Sequence, residues 1–196
     1  MLTDIGHSLR PAFVLLLLFT ALTGIAYPLA ITGIAQVVFP AQAGGSLIRE
    51  NGKIIGSELI GQNFSDARYF HPRLSAAGKG YDASASAASN LAPASKDLAD
   101  RISGDVAALR AQGVTDHIPA DMVTTSASGL DPHISPETAR LQVSRVAAAR
   151  KMDPKLIQSA VASATEFPVF GLIGEPRVNV LLLNRQIDAI SAKRVR

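Results

Sequence analysis

The run Pro11-Ala-Phe-Val-Leu-Leu-Leu-Leu-Phe-Thr-Ala-Leu-Thr-Gly-Ile-Ala-Tyr-Pro-Leu-Ala-Ile31 is uncharged, and so is everything else between Arg10 and Arg49. At a helical rise of about 1.5 Å per residue, roughly 20 apolar residues cross the hydrocarbon core of a bilayer, and this run supplies them. It predicts a membrane helix from near Pro11 to the low thirties. Pro28 lacks an N–H and is expected to bend the outer end, while Thr20, Thr23, Gly24 and Gly33 are small residues that let another helix approach closely. Thr20, Gly24 and Pro28 are therefore the candidates for helix packing. A cleaved signal peptide is the alternative, since Ala41-Gln42-Ala43 has the small-x-small form of a cleavage site. The apolar run exceeds the ~7–15 residues of a signal core, which favours an uncleaved anchor. Arg10 precedes the span and the next positive charge is Arg49, so the N-terminus is expected in the cytoplasm and the rest outside. The expected division is 1–10 as cytoplasmic N-terminus, 11–33 as transmembrane helix and 34–196 as an exported domain.

Composition limits what that domain does. Of 196 residues, 19 are Lys or Arg and 16 Asp or Glu, a net charge of only +3, and charged residues make up 18%. With no Trp and 5% aromatics, stacking platforms and dense basic grooves are poorly supplied, which excludes nucleic acid as a partner. Zero Cys excludes disulfides, thiolate metal sites and cysteine nucleophiles.

Beyond the span, Ser46-Leu-Ile-Arg-Glu-Asn51-Gly52-Lys-Ile-Ile-Gly-Ser57 places two β-prone runs around Asn-Gly, the signature of a hairpin with a primed turn. Leu98, Ile102, Val106 and Leu109 recur at helical spacing between a Ser95 start and a Gly113 stop. Ser135-Pro136-Glu137 opens a helix with Ala139, Val143, Val146 and Ala147 on one face. Asp153-Pro154 opens another, carrying Leu156, Ile157, Val161 and Ala164 and ended by Pro168. The apolar run from Val178 to Asn184 suits a buried strand. The low-complexity stretch from Ala83 to Asn90 reads as a loop ordered by contact. The fold class is a single N-terminal transmembrane α-helix plus one exported α+β domain.

The search for chemistry returns mostly exclusions. Phosphate-cradling, dinucleotide, H-E-x-x-H and nucleophile-elbow motifs are absent, and the four histidines have no metal-ligand spacing. No catalytic or metal-binding residue is assigned. The densest polar segment runs from Asp121 to Glu137 and contains Ser126, Ser128, Gly129, Asp131, Pro132 and His133. As a Ser-His-Asp supply it lacks any demonstrated geometry. The structural reading is a rigid loop, with hydroxyls and carboxylates bonding backbone N–H groups, Gly129 in a left-handed turn and prolines stiffening the chain. Arg68 and Arg73, flanking Tyr69 and Phe70, form a possible partner contact with an apolar anchor; arginines tying neighbouring loops together is the equal alternative.

These residues carry a resemblance. The blocks Thr23-Gly-Ile-Ala-Tyr-Pro-Leu, Phe39-Pro-Ala-Gln-Ala, Gly45-Ser-Leu-Ile, Gly56-Ser-Glu-Leu-Ile-Gly-Gln62, Tyr69-Phe-His-Pro-Arg, Val123-Thr-Thr-Ser-Ala-Ser-Gly-Leu-Asp-Pro-His-Ile-Ser-Pro, Arg145-Val-Ala-Ala-Ala-Arg and Gly174-Glu-Pro-Arg-Val-Asn-Val-Leu follow one another in the order seen in KdpC. The chain resembles this family, the C subunits of bacterial potassium-transporting P-type ATPases. Leu74 and the glycine-free Ala87-Ala88-Ser89-Asn90 depart from its usual pattern. The resemblance implies a non-catalytic accessory subunit in the bacterial inner membrane. Its implied partners are a P-type ATPase pump subunit and a channel-like potassium-translocating subunit. It also implies a catalytic chaperone that raises the pump's affinity for ATP, through a segment here spanning Ser126 to Asp131. An exported domain does not meet cytoplasmic ATP, so no cofactor is assigned as bound and the ATP association is expected to be indirect. The rivals from other classes are an anchored hydrolase using Ser126 or Ser128 with His133, and a binding module released after Ala43.

Overall fold

The computed structural model describes residues 2–115, 117–168 and 170–194, and its two compact units divide between Leu47 and Ile48. Met1, Asp116, Val169, Val195 and Arg196 fall in the expected segments 1–10 and 34–196 and lie outside the described residues.

In the first unit, α1 (Leu2–Ala21), a π-turn (Leu22–Ala26) and α2 (Tyr27–Val38) form continuous helical backbone, followed by the short α3 (Pro40–Ala43). This backbone passes both ends of the 11–33 span. The stretch Gly6–Val38 is long and apolar enough to cross a membrane, and Phe13, Leu17, Leu29 and Ile34 all leave their side chains exposed. Such a helix satisfies its backbone internally and needs an apolar medium around it. An α-helix would ask residue 28 for an N–H directed at Gly24, which proline cannot provide. The chain widens one turn earlier instead, and the Tyr27 N–H bonds the Leu22 carbonyl five residues back. The disturbance expected at Pro28 is thus absorbed in the turn before it.

The second unit opens with β1 (Leu47–Glu50) and β2 (Lys53–Ser57), a two-stranded sheet. Asn51 and Gly52 take φ values of 50° and 79°, the positive pair that a primed turn requires. Next comes α4 (Lys96–Ala111), whose Ser95 cap accepts the Leu98 N–H, and then the short α5 (Ala120–Val123). The anticipated apolar face of α4 is only half-buried. After β3 (His133–Ile134), α6 (Pro136–Arg150) and α7 (Pro154–Ser163) begin at their expected caps, Ser135 and Asp153, each with proline in the first turn. Then follow β4 (Thr165–Glu166), β5 (Arg177–Asn179) and α8 (Val180–Arg194).

The sheet order is β3-β5-β4, antiparallel throughout, with Ile134 and Thr165 both registered against Val178. Val143, Val146, Ile157, Val161, Val178, Leu183 and Ile187 form the core between α6, α7, α8 and this sheet, joined by Phe70 from a loop.

Two expectations are corrected. Helix α7 stops at Ser163 rather than at Pro168, because Thr165 and Glu166 leave to pair with β5. The run from Val178 to Asn184 is strand only as far as Asn179, after which it is helix. A short continuous apolar run carries no period that separates strand from buried helix. The deciding group is polar: Asn179 Oδ1 accepts the Leu182 N–H at 3.2 Å, an N-cap bond. Val180, Leu183 and Ile187 then recur at spacings of three and four, all buried.

Candidate functional site

The segment from Asp66 to Arg73 has no helix or strand, yet side chains satisfy most of its backbone. Asn184 of α8 accepts the Phe70 N–H at 2.8 Å and donates to the Phe70 carbonyl at 3.0 Å. One residue on, Gln142 of α6 does the same for His71, at 2.8 and 3.0 Å. Each side-chain amide reproduces the pair of bonds that a neighbouring strand would offer. Arg145 donates to the Ala67 and Tyr69 carbonyls and to Gln142, and Arg150 to the Arg68 carbonyl. The Arg150 guanidinium also lies 4.8 Å from the Tyr69 ring centroid, within cation–π range.

Phe70 is fully buried, so it fills the core and offers no surface to a partner. Exposed Arg68 pairs with Asp66 at 2.8 Å, and that guanidinium's hydrogen bonds hold the Asp66 carboxyl at about 2. Burial, aided by the Arg145 charge, pushes the His71 imidazole below its ordinary range, while its Nε2 sits 3.2 Å from the Asp66 carbonyl.

The second segment is fixed by the start of α6. Asp121 accepts the Ser135 N–H, the Ser135 hydroxyl and the Thr138 hydroxyl at 2.7, 3.1 and 2.7 Å. Ser128 Oγ accepts the Leu130 N–H, and the Ser128 carbonyl accepts from Ala87 N–H and Ser86 Oγ. This is the contact that orders the low-complexity stretch. Gly129 sits at φ 67°, and a Cβ there would lie 2.6 Å from the Ala87 carbonyl oxygen and 2.7 Å from the Ala77 nitrogen. Only glycine combines that conformation with that approach. Ser126 and Pro132 are buried, Ser128 is exposed, and Asp131 and His133 are half-buried.

Arg73 and Asp131 join the two segments. Their ion pair is 3.1 Å long, and Arg73 also reaches the Thr125 carbonyl at 3.3 Å. Tyr81 secures the arm by donating its hydroxyl to the Arg73 carbonyl, and burial pushes the phenol's pKa far up. For Asp131, burial pushes upward, but hydrogen bonds from His133 and the Arg73 charge outweigh it and hold the carboxyl below its usual range. Beside the pair lies an open groove of about 730 Å³ lined by Arg73, Asp131, His133, Glu137 and Arg177, among others. His133 Nδ1 is 3.5 Å from Asp131 Oδ1. Among the described residues no hydrogen bond links His133 to Ser126 or Ser128. The two segments together form a braced, two-signed surface. Thr20, Gly24 and Pro28 lie in the other unit, where a Cβ at Gly24 would meet only Thr20 Cγ2, at 4.0 Å.

Comparison with known proteins accounts for both units. The family model described as KdpC, K+-transporting ATPase, c chain, matches residues 9–189. The chain belongs to the KdpC family. It is 57% identical over 182 residues to the potassium-transporting ATPase KdpC subunit of Caulobacter vibrioides strain NA1000, covering 92% of each chain. The KdpC subunit of Bradyrhizobium diazoefficiens is 54% identical over 199 residues, covering 95% of this chain and 99% of its own. That of Variovorax paradoxus is 52% identical over 192 residues, with 96% and 100% covered.

The KdpC resemblance read from the sequence included Arg145 and Arg150 as parts of a matching block, without a role for them. Their role, and those of Gln142 and Asn184, is to clamp the Asp66–Arg73 segment. A signal existed in the polar residues on otherwise apolar helix faces: Gln142 stands beside Val143, and Asn184 ends an unbroken apolar run.

Proposed function

We propose that this chain is a non-catalytic, single-pass accessory subunit of an ATP-driven potassium uptake complex in the bacterial inner membrane. Its N-terminus is cytoplasmic and its α+β domain exported. The observation that carries the reading is the match over residues 9–189, which takes in the apolar helix and the domain together. Relatives sharing half or more of its residues are named as subunits of a potassium-transporting ATPase.

In this reading the helix packs beside the channel-like subunit through Thr20, Gly24 and Pro28, and the domain covers that subunit's outer mouth. The loop containing Ser126, Ser128, Gly129, Asp131, Pro132 and His133 is the assembly loop. Buried Ser126, Gly129 and Pro132 keep its shape, and Asp131, His133 and Ser128 meet the partner. Arg68, Tyr69 and Arg73 contribute from the neighbouring segment; Phe70 contributes only through the core. A bound subunit alters the pump's affinity for ATP by binding its working states unequally. The chaperone effect is therefore a coupling between conformations, without direct contact to the nucleotide.

Affinity purification of the tagged chain from mild detergent tests this. A pump subunit and a large channel-like protein are expected to copurify, with potassium-stimulated ATPase activity that falls when this chain is deleted. Purification of the chain alone would sink the proposal. Gly129→Val should lower the yield of that complex; unchanged yield and transport would remove the loop from assembly.

A further inference from the structure

The connection between β4 and β5 is a hairpin loop with an inverted character. Phe167, Phe170, Leu172 and Ile173 are 75, 90, 86 and 69% exposed, although large apolar side chains of a folded domain ordinarily find cover. The loop does not hang free at its base. Glu166 and Arg177 face each other in the ladder and pair at 2.9 Å, and the Gly171 N–H bonds the Pro168 carbonyl at 3.0 Å. Phe170 has φ 55°, a left-handed conformation that is costly for a bulky residue, and burial of its side chain, 90% exposed, does not offset that cost. From Phe167 to Pro176 the only charged residue is Glu175, next to the base.

We infer that this apolar tip inserts into the interfacial region of the lipid bilayer to which the chain is anchored. The anchoring reading of Gly6–Val38 is the premise. Residues 39–47 connect the end of that helix to the second unit, and nine residues span at most about 30 Å. On that premise a bilayer is an apolar phase present beside the domain before any partner assembles. Phe167 and Ile173 also line the groove beside Arg73 and Asp131, whereas Phe170 and Leu172 are the most exposed of the four and lead the insertion. With no Lys or Arg between the base residues, insertion rests on apolar area and not on attraction to anionic headgroups.

The chain contains no Trp, so Phe170→Trp places a sole indole at the tip. The full-length variant is reconstituted in phosphatidylcholine vesicles, with flotation confirming that the chain is anchored. Interfacial helices bury themselves about 5–10 Å deep, so shallow acyl-chain bromines should quench the indole about twofold, and deep ones less. Emission should be blue-shifted, and replacing part of the lipid with phosphatidylglycerol should change nothing. Leu172→Asp in the same background should abolish the quenching while the thermal transition stays in place. Failure to float would break the anchoring reading itself. If the chain floats, an indole open to aqueous acrylamide and untouched by bromines overturns the inference. An indole shielded from both overturns it in favour of a protein contact, such as a second copy. Quenching that appears only with anionic lipid also overturns it, because basic residues elsewhere would then drive the approach.

Discussion

Phe70 and Phe170 both sit in irregular backbone of the same domain, and their surroundings are opposite. Phe70 has no exposed surface and Phe170 is 90% exposed. The Phe70 segment is held by two side-chain amides and two guanidinium groups from α6 and α8, whereas among the described residues the bond beside Phe170 is a local one, from the Gly171 N–H to the Pro168 carbonyl. Absence of helix or strand therefore says little about rigidity. What matters is whether the backbone donors and acceptors find partners and whether the side chain finds cover.

The comparison breaks most easily at Phe70 itself. Phe70→Ala should destabilise the domain by about 3–5 kcal/mol, the range for emptying a buried aromatic site; a denaturant midpoint close to the wild type would show that the pocket collapses to fill the space. Asn184→Ala comes next. It leaves the Phe70 N–H and C=O buried without partners, at about 1–3 kcal/mol for each such group. The thermal midpoint should drop by several degrees, and a double variant with Phe70→Ala should cost less than the sum, since the two changes disturb one contact. Strict additivity would mean that the amide clamp and the ring act independently.

A smaller effect concerns pH. Burial and Arg145 depress the His71 pKa in the folded protein, so the folded state binds fewer protons than the unfolded chain does near 6.5. This contribution is fully present above about pH 6.5 and is lost as the pH falls through the folded value. Unfolding midpoints at pH 7.5 and 5.5 should differ for the wild type and differ less for His71→Gln; parallel behaviour would remove His71 from the balance. Asp131, also depressed, acts in a separate window that opens only below its ordinary 3.8. Smallest of all, Phe170→Ala should shift stability by no more than about 0.5 kcal/mol, as at an exposed position. A loss comparable to that at Phe70 would mean that the tip supports the fold.

The parts of the molecule legible in the sequence were those specified by near neighbours. The Asn51-Gly52 turn and the caps at Ser95, Ser135 and Asp153 each rest on bonds within a few residues, and all four are found. The three-stranded sheet was not legible, because strands of two or three residues are too short to carry alternation. The same limit hid the start of α8, where one Asn179 side chain decided against a strand. For the candidate site, the residues of both loops were recognisable by composition, and Gly129 by its need for a left-handed turn. The clamps were not: Asn184 lies 114 positions from Phe70 and Gln142 lies 71 from His71, and nothing local announces such pairings. Arg73 bonds Asp131 and the Thr125 carbonyl, again across a separation that nothing local announces.

The widened turn at Leu22–Ala26 has a further effect on how the membrane helix is to be mapped. Admitting one extra residue into a 3.6-residue turn displaces every later side chain by about 100° around the axis. A single helical wheel drawn through Gly6–Val38 therefore misassigns one half of it. Thr20 belongs to the wheel of α1 and Pro28 to that of α2: eight regular steps would set them about 80° apart, and the lag of one residue brings them to within about 20°, on one side of the helix. Cysteine scanning of this helix should accordingly be read as two phase-shifted stripes, with the break in phase falling at Gly24.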